Sequence, residues 1–125
     1  MTPVGIEIEV TWGDEHMLQL EVSASNGVFA GRIEAYDALD VASRWAAALE
    51  RFPRDGDDCR EISTGALADE YAGGAATLRF MVRDKAGHCA VRVKLRASDL
   101  VRPIAFAEFA IEAEAAAVDL SLIHI

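Results

Sequence analysis

A histidine beside a cysteine opens the stretch "HCAVRVKLRA" (residues 88–97), and His88-Cys89 is where metal or thiol chemistry would first be sought. A zinc site needs three or four ligands at recognisable spacing. The other candidates, His16, Cys59 and His124, fall in a turn, in a loop and at the end of the sequence. Adjacent side chains of a strand point to opposite faces, so His88 and Cys89 cannot share an ion without a bulge. His88 reads instead as a polar residue leaving a turn, and Cys89 as a small residue of a sheet. Cys59 follows "GDD", and carboxylates beside a thiol disfavour the reactive thiolate. There is no Gly-x-Ser-x-Gly elbow, and neither "GVFAG" nor "AGGAA" fits a phosphate-cradling loop that leads into a helix. The 21 acidic residues give no basis for choosing a pair set across a cleft. The expectation is a protein with no catalytic residues, no metal and no cofactor: not an enzyme.

Charge carries more information. Arg92, Lys94 and Arg96 alternate along one segment, with Arg79 or Arg83 as neighbours beside it. This stripe lacks the interleaved aromatics of a single-strand nucleic-acid binder, and reads as a solvated face balanced by Glu7, Glu9 or other acids across a sheet. The acids gather in loops: Asp14 and Glu15 in a turn, Asp55, Asp57 and Asp58 in a second loop, Asp69 and Glu70 before Gly73-Gly74. Recognition residues concentrate on loops carried by a rigid scaffold, so these seven are the candidate partner-binding residues. The net charge is −9, and the excess of acid lies wholly within residues 1–75. Such a chain repels nucleic acid and anionic membrane and attracts cations.

Residues 1–125, 52% of them apolar and 26% charged, read as one globular domain. No apolar run reaches the ~20 residues that cross a bilayer, and "MTPVGIEIEV" has no secretory signal pattern. A cytoplasmic protein with two free thiols is expected, although spacing alone leaves a Cys59–Cys89 disulfide open.

The elements that must position these residues follow from periodicity. "VGIEIEV" alternates, with Ile6, Ile8 and Val10 on one face; "MLQLEVSA" repeats the pattern through Leu18, Leu20 and Val22. Asn26-Gly27 predicts a tight hairpin into "VFAGRIEAY", within which Gly31 marks a bulge or a close approach by another backbone. A helix is expected next, N-capped by Asp37 and ended by Pro53. Leu39, Ala42, Trp45, Ala46, Leu49 and Phe52 form its apolar stripe, and Asp40–Arg44 and Glu50–Arg54 its outward pairs. Residues 60–64 could form a short strand, with a loop or a helical turn through Ala72. "AATLRFMVRD" and "HCAVRVKLRAS" make a hairpin. "PIAFAEFAIEA" is a further strand that buries either Ala105, Ala107, Phe109 and Ile111 or Ile104 and Phe106. Ala113 to Ile125 reads as a closing helix. The order is βββ-α-ββββ-α: an α+β fold, an antiparallel meander of six or seven strands with two helices on one face.

Laid out in this way, the chain resembles a family of small acidic bacterial proteins, the immunity proteins of wall-associated-protein (WapI-like) toxin systems and their uncharacterised relatives. The likeness runs through "GVFAGRIEAY", "DALDVASRWAAALERF", "CREIS", "AGGAATLRF", "DKAGHCAVRVKLRA" and "FAIEAEAAAVDL". It carries no catalytic motif. It implies a non-enzymatic binding protein that neutralises a cognate cationic toxin through an acidic surface. The residues alone leave a second reading, a small α+β domain that binds a small molecule or forms a homodimer.

Overall fold

The computed structural model describes residues 4–65, 74–84, 86, 88–97, 105–114 and 123–124. Three strands, β1 (Gly5–Gly13), β2 (Leu18–Ser25) and β3 (Ala30–Asp37), form an antiparallel meander. One helix, α1 (Val41–Ala48), crosses to a second antiparallel meander of β4 (Cys59–Gly65), β5 (Ala75–Val82), β6 (His88–Ala97) and β7 (Ala105–Glu114). A two-residue strand, β8 (Ile123–His124), returns to pair in parallel with β1. Sheet A has the order β3-β2-β1-β8 and sheet B the order β4-β5-β6-β7.

The expected single sheet is therefore two. Each meander has one apolar face, and the two faces bury each other, as one-sided sheets must. Ile6, Ile8, Leu20, Val22 and Ile33 from sheet A meet Ile62, Leu78, Phe80, Val91, Val93 and Ile111 from sheet B in one core. On β7 the alternation settles on Phe109 and Ile111 as buried, leaving Phe106 exposed. Two glycines mark where the sheets touch. A Cβ on Gly31 would lie 2.7 Å from Leu95 Cδ1; the strand carries no bulge there, so the close approach is to a side chain. At Gly74 a Cβ would lie 2.3 Å from the Arg96 carbonyl oxygen, and the Gly74 N–H donates to the Glu34 carbonyl at 2.6 Å.

Among the described residues one helix stands where two on a single face were expected, and its buried side enters between the sheets. Trp45 lies among Ile8 and Val22 of sheet A and Ile62 and Leu78 of sheet B, with its indole N–H donating to the Ser63 carbonyl at 3.4 Å. The buried stripe is Val41 and Trp45, with Ala48, Leu49 and Phe52 partly covered; Leu39, Ala42 and Ala46 face outward. Helical structure begins at Val41 behind Asp40, not at Asp37. Asp37 instead accepts from the Ala38 N–H, the Thr64 hydroxyl and the Arg44 guanidinium, tying β3 to β4 and α1. The expected Asp40–Arg44 pair forms. The helix ends at Ala48, short of Pro53: Arg51 turns to a left-handed φ of 60°, which cannot continue a helix, and Arg60 donates to the Ala48 and Glu50 carbonyls left open there. Arg54 thus falls in the loop, where its N–H donates to Asp58, and does not pair with Glu50.

The closing helix predicted for 113–125 is strand at both described ends: Ala113 and Glu114 pair with Cys89 and His88, and β8 covers the outer edge of β1. An unpaired edge strand is a template for aggregation, and this short strand blunts it. The rest of that expectation, residues 115–122, lies outside the described residues, as does the expected loop or helical turn after residue 65.

Candidate functional site

The described acids among those predicted to bind a partner sit in different settings. Asp14 accepts the N–H groups of His16 (2.7 Å) and Met17 (2.9 Å), closing its turn. Those two hydrogen bonds, His16 foremost, hold its carboxyl below the usual range. Glu15 projects beside it, exposed, 3.7 Å from His16. Asp55 accepts the Asp57 N–H within its own loop. Asp58 receives Arg60 through two bonds (3.1 and 2.9 Å) and the Arg54 N–H at 2.7 Å. The Arg60 hydrogen bond is the main cause of its lowered pKa. Asp58 is therefore a fold residue; with Arg60, which also lies over the Phe52 ring, it fixes the end of α1. The Asp57 and Glu15 carboxylates remain free of hydrogen bonds to other described residues. Among the described residues no hydrogen bond or ion pair joins the 14–15 turn to the 55–58 loop. Asp69 and Glu70 lie outside the described residues.

The basic stripe is likewise absorbed. Arg92 bonds Glu108 at 2.7 Å, Arg83 meets Glu112, and Arg79 stands opposite Glu61. The balancing acids come from β4 and β7, not from Glu7 and Glu9. Arg96 stays on this face but is covered: it is 6% exposed, lies over the ring of its exposed neighbour Phe106 and lines the depression described below. His88 and Cys89 point to opposite sides, His88 bonding Asp84 at 2.7 Å and Cys89 entering the core. Both cysteines are free thiols. Among the described residues, no three His, Cys, Asp or Glu side chains are placed to hold a metal ion.

A charged site that sequence reasoning missed lies on the outer face of sheet A. Register places Glu9 opposite Glu21 and Glu21 opposite Glu34, a row of three carboxylates across β1, β2 and β3. The row before it is Glu7–Ser23–Arg32, and the row after it is Trp12–Gln19–Tyr36. Arg32 is the one cation of this face among the described residues, 3.9 Å from Glu21. Like charges directly opposite destabilise a sheet, and Glu7 and Glu9 have no hydrogen bond or ion pair with any described residue. The face can bind positive charge.

On sheet B the outer face holds a depression of about 490 Å³ lined by Thr77, Lys94, Phe106 and Glu108, among others. No family model, no curated protein and no solved structure matches the chain. No helix among the described residues is long and apolar enough to cross a membrane.

Proposed function

We propose that this chain is a non-enzymatic binding protein of the immunity, or antitoxin-like, kind, which neutralises a cationic toxin in the cytoplasm by covering its basic surface. The observation that carries this reading is the Glu9–Glu21–Glu34 row, three mutually repelling carboxylates kept in register on an open sheet face. Such a face speeds encounter with a basic protein and offers its cations unscreened partners. In this reading the contact surface is the sheet; Glu15, beside His16, and Asp57 remain as loop acids whose carboxylates make no hydrogen bond to other described residues.

The test compares the tagged wild-type chain with a Glu9→Gln/Glu21→Gln/Glu34→Gln variant as bait in lysate from the protein's source, at low and high salt. The expected catch is one cationic polypeptide near equal stoichiometry, released by salt and lost from the variant. Expressed alone in a host that polypeptide should arrest growth, and co-expression of this chain should restore it. Equal capture by the variant, or a catch without toxicity, would overturn the reading. A second reading, binding of a small molecule, is favoured by the sheet B depression; saturable binding of a small ligand with no protein captured would support it.

A further inference from the structure

We infer that the outer face of sheet A receives arginine side chains of a basic protein, stacking their guanidinium planes on Trp12 and Tyr36 while the glutamate row takes their charge. This rests on the binding reading above and names the chemistry of the partner. The observation that carries it is a bulge. Strict alternation after Ile6 and Ile8 would turn residue 12 inward with Val10. The register shifts between Val10 and Trp12, so that Val10 faces Leu20 but Trp12 faces Gln19, leaving Thr11 as the extra residue. Its hydroxyl donates to the Gln19 carbonyl at 3.2 Å. Bulges re-aim side chains, and this one lifts an indole from the inner face to the outer, where it is 50% exposed.

Gln19 is paired in turn with Tyr36, itself 41% exposed. Two rings therefore flank one amide on a single row, about 10 Å apart at the usual strand spacing. The Gln19 amide nitrogen lies 3.4 Å from both the Tyr36 hydroxyl and Glu34 Oε2, joining the ring row to the carboxylate row. Rings beside an excess of carboxylates match a guanidinium better than an ammonium, because the planar ion stacks on a ring while its edge donates to an acid. A neutral glycan would use the rings but bring no charge to the glutamates.

The full chain is titrated calorimetrically with end-blocked hexa-arginine, hexa-lysine and cellohexaose, at low and at physiological salt. Hexa-arginine is expected to bind about fivefold to thirtyfold more tightly than hexa-lysine, the yield of two exposed cation–π contacts. In a Trp12→Leu/Tyr36→Leu variant, which keeps apolar residues on the row, that ratio should fall to about one while hexa-lysine affinity holds. Equal affinity of the wild type for both peptides, lost in the triple glutamine variant, would overturn the ring assignment and leave the binding reading standing. Failure to bind either peptide would overturn both. Cellohexaose bound in a ring-dependent manner without either peptide would assign the face to a glycan instead.

Discussion

On the outer face of sheet B, Glu61 stands opposite Arg79, Arg92 bonds Glu108 and Arg83 meets Glu112; on the outer face of sheet A, Glu9, Glu21 and Glu34 face one another with Arg32 the one cation to offset them among the described residues. The two surfaces arise from the same alternation of apolar and polar residues, and both are free to be solvated. Sheet B places acid beside base at these three pairs, which outweigh the one like-charge pair of Arg79 opposite Arg92 and leave a modest net stabilisation. Sheet A leaves its repulsion standing. A surface needed only for solubility could have followed the sheet B pattern, and the proposed cationic partner is one that would answer the excess on sheet A.

Both faces hang on one scaffold, and the largest expected effect is to remove it. Trp45→Ala withdraws the indole that lies between Ile8 and Val22 on one side and Ile62 and Leu78 on the other. Truncating a buried tryptophan costs about 3–5 kcal/mol, much of the stability of a domain this size. Urea unfolding should show that loss in the midpoint with an unchanged slope, and the capture assay should fail with it. A loss well under 1 kcal/mol would mean that α1 is not part of the shared core.

The strands were legible in the sequence because period two is a strong signal: Ile6 and Ile8, Leu20 and Val22, Leu78 and Phe80, and Val91, Val93 and Leu95 all enter the core as their alternation requires. Which sheet each strand joins was not legible, since nothing in the run from Tyr36 to Cys59 says whether the chain rejoins the first meander or starts another. Register was the deeper failure. A two-residue Asn26-Gly27 turn would set Glu21 opposite Arg32, an ordinary ion pair. The hairpin instead closes over residues 26–29: the Asn26 carboxamide oxygen accepts the N–H groups of Val28 and Phe29, and Asn26 N bonds the Phe29 carbonyl. That two-residue shift sets Glu21 opposite Glu34. The Thr11 bulge hid Trp12 in the same way, because counting by twos places it inside. The loop acids carry two meanings at once. Aspartates in turns bond their own backbone, as Asp14 and Asp55 do, so density of acid in a loop measures turn chemistry as readily as recognition.

If the carboxylate row is a stability sacrifice, relieving it should strengthen the fold. Glu21→Gln removes the central charge and with it two like-charge cross-strand contacts, at the loss of a long contact to Arg32. A gain of about 0.5–1 kcal/mol is expected at low ionic strength, falling as added salt screens the repulsion. Urea midpoints at two salt concentrations check this. A loss of stability at low salt would show that the row is internally compensated and would remove the contrast between the faces.

The smallest effect is expected from the matching change on sheet B, and its sign matters more than its size. Arg92→Ala breaks the 2.7 Å bond to Glu108, but both partners are about half exposed, and exposed pairs contribute about 0.2–1 kcal/mol. The same substitution frees Arg79 from a like charge directly opposite, which offsets part of that loss. The expected net change is a destabilisation of no more than about 0.5 kcal/mol, shrinking with salt. Measured beside Glu21→Gln under identical buffers, it should move the low-salt midpoint in the opposite direction. Two changes of the same sign would mean that both faces are tuned alike for the folded chain, and the glutamate row would lose its claim to be held open for a partner. Opposite signs, both fading with salt, leave sheet B as the balanced face and sheet A as the one whose charge is answered only when something cationic docks.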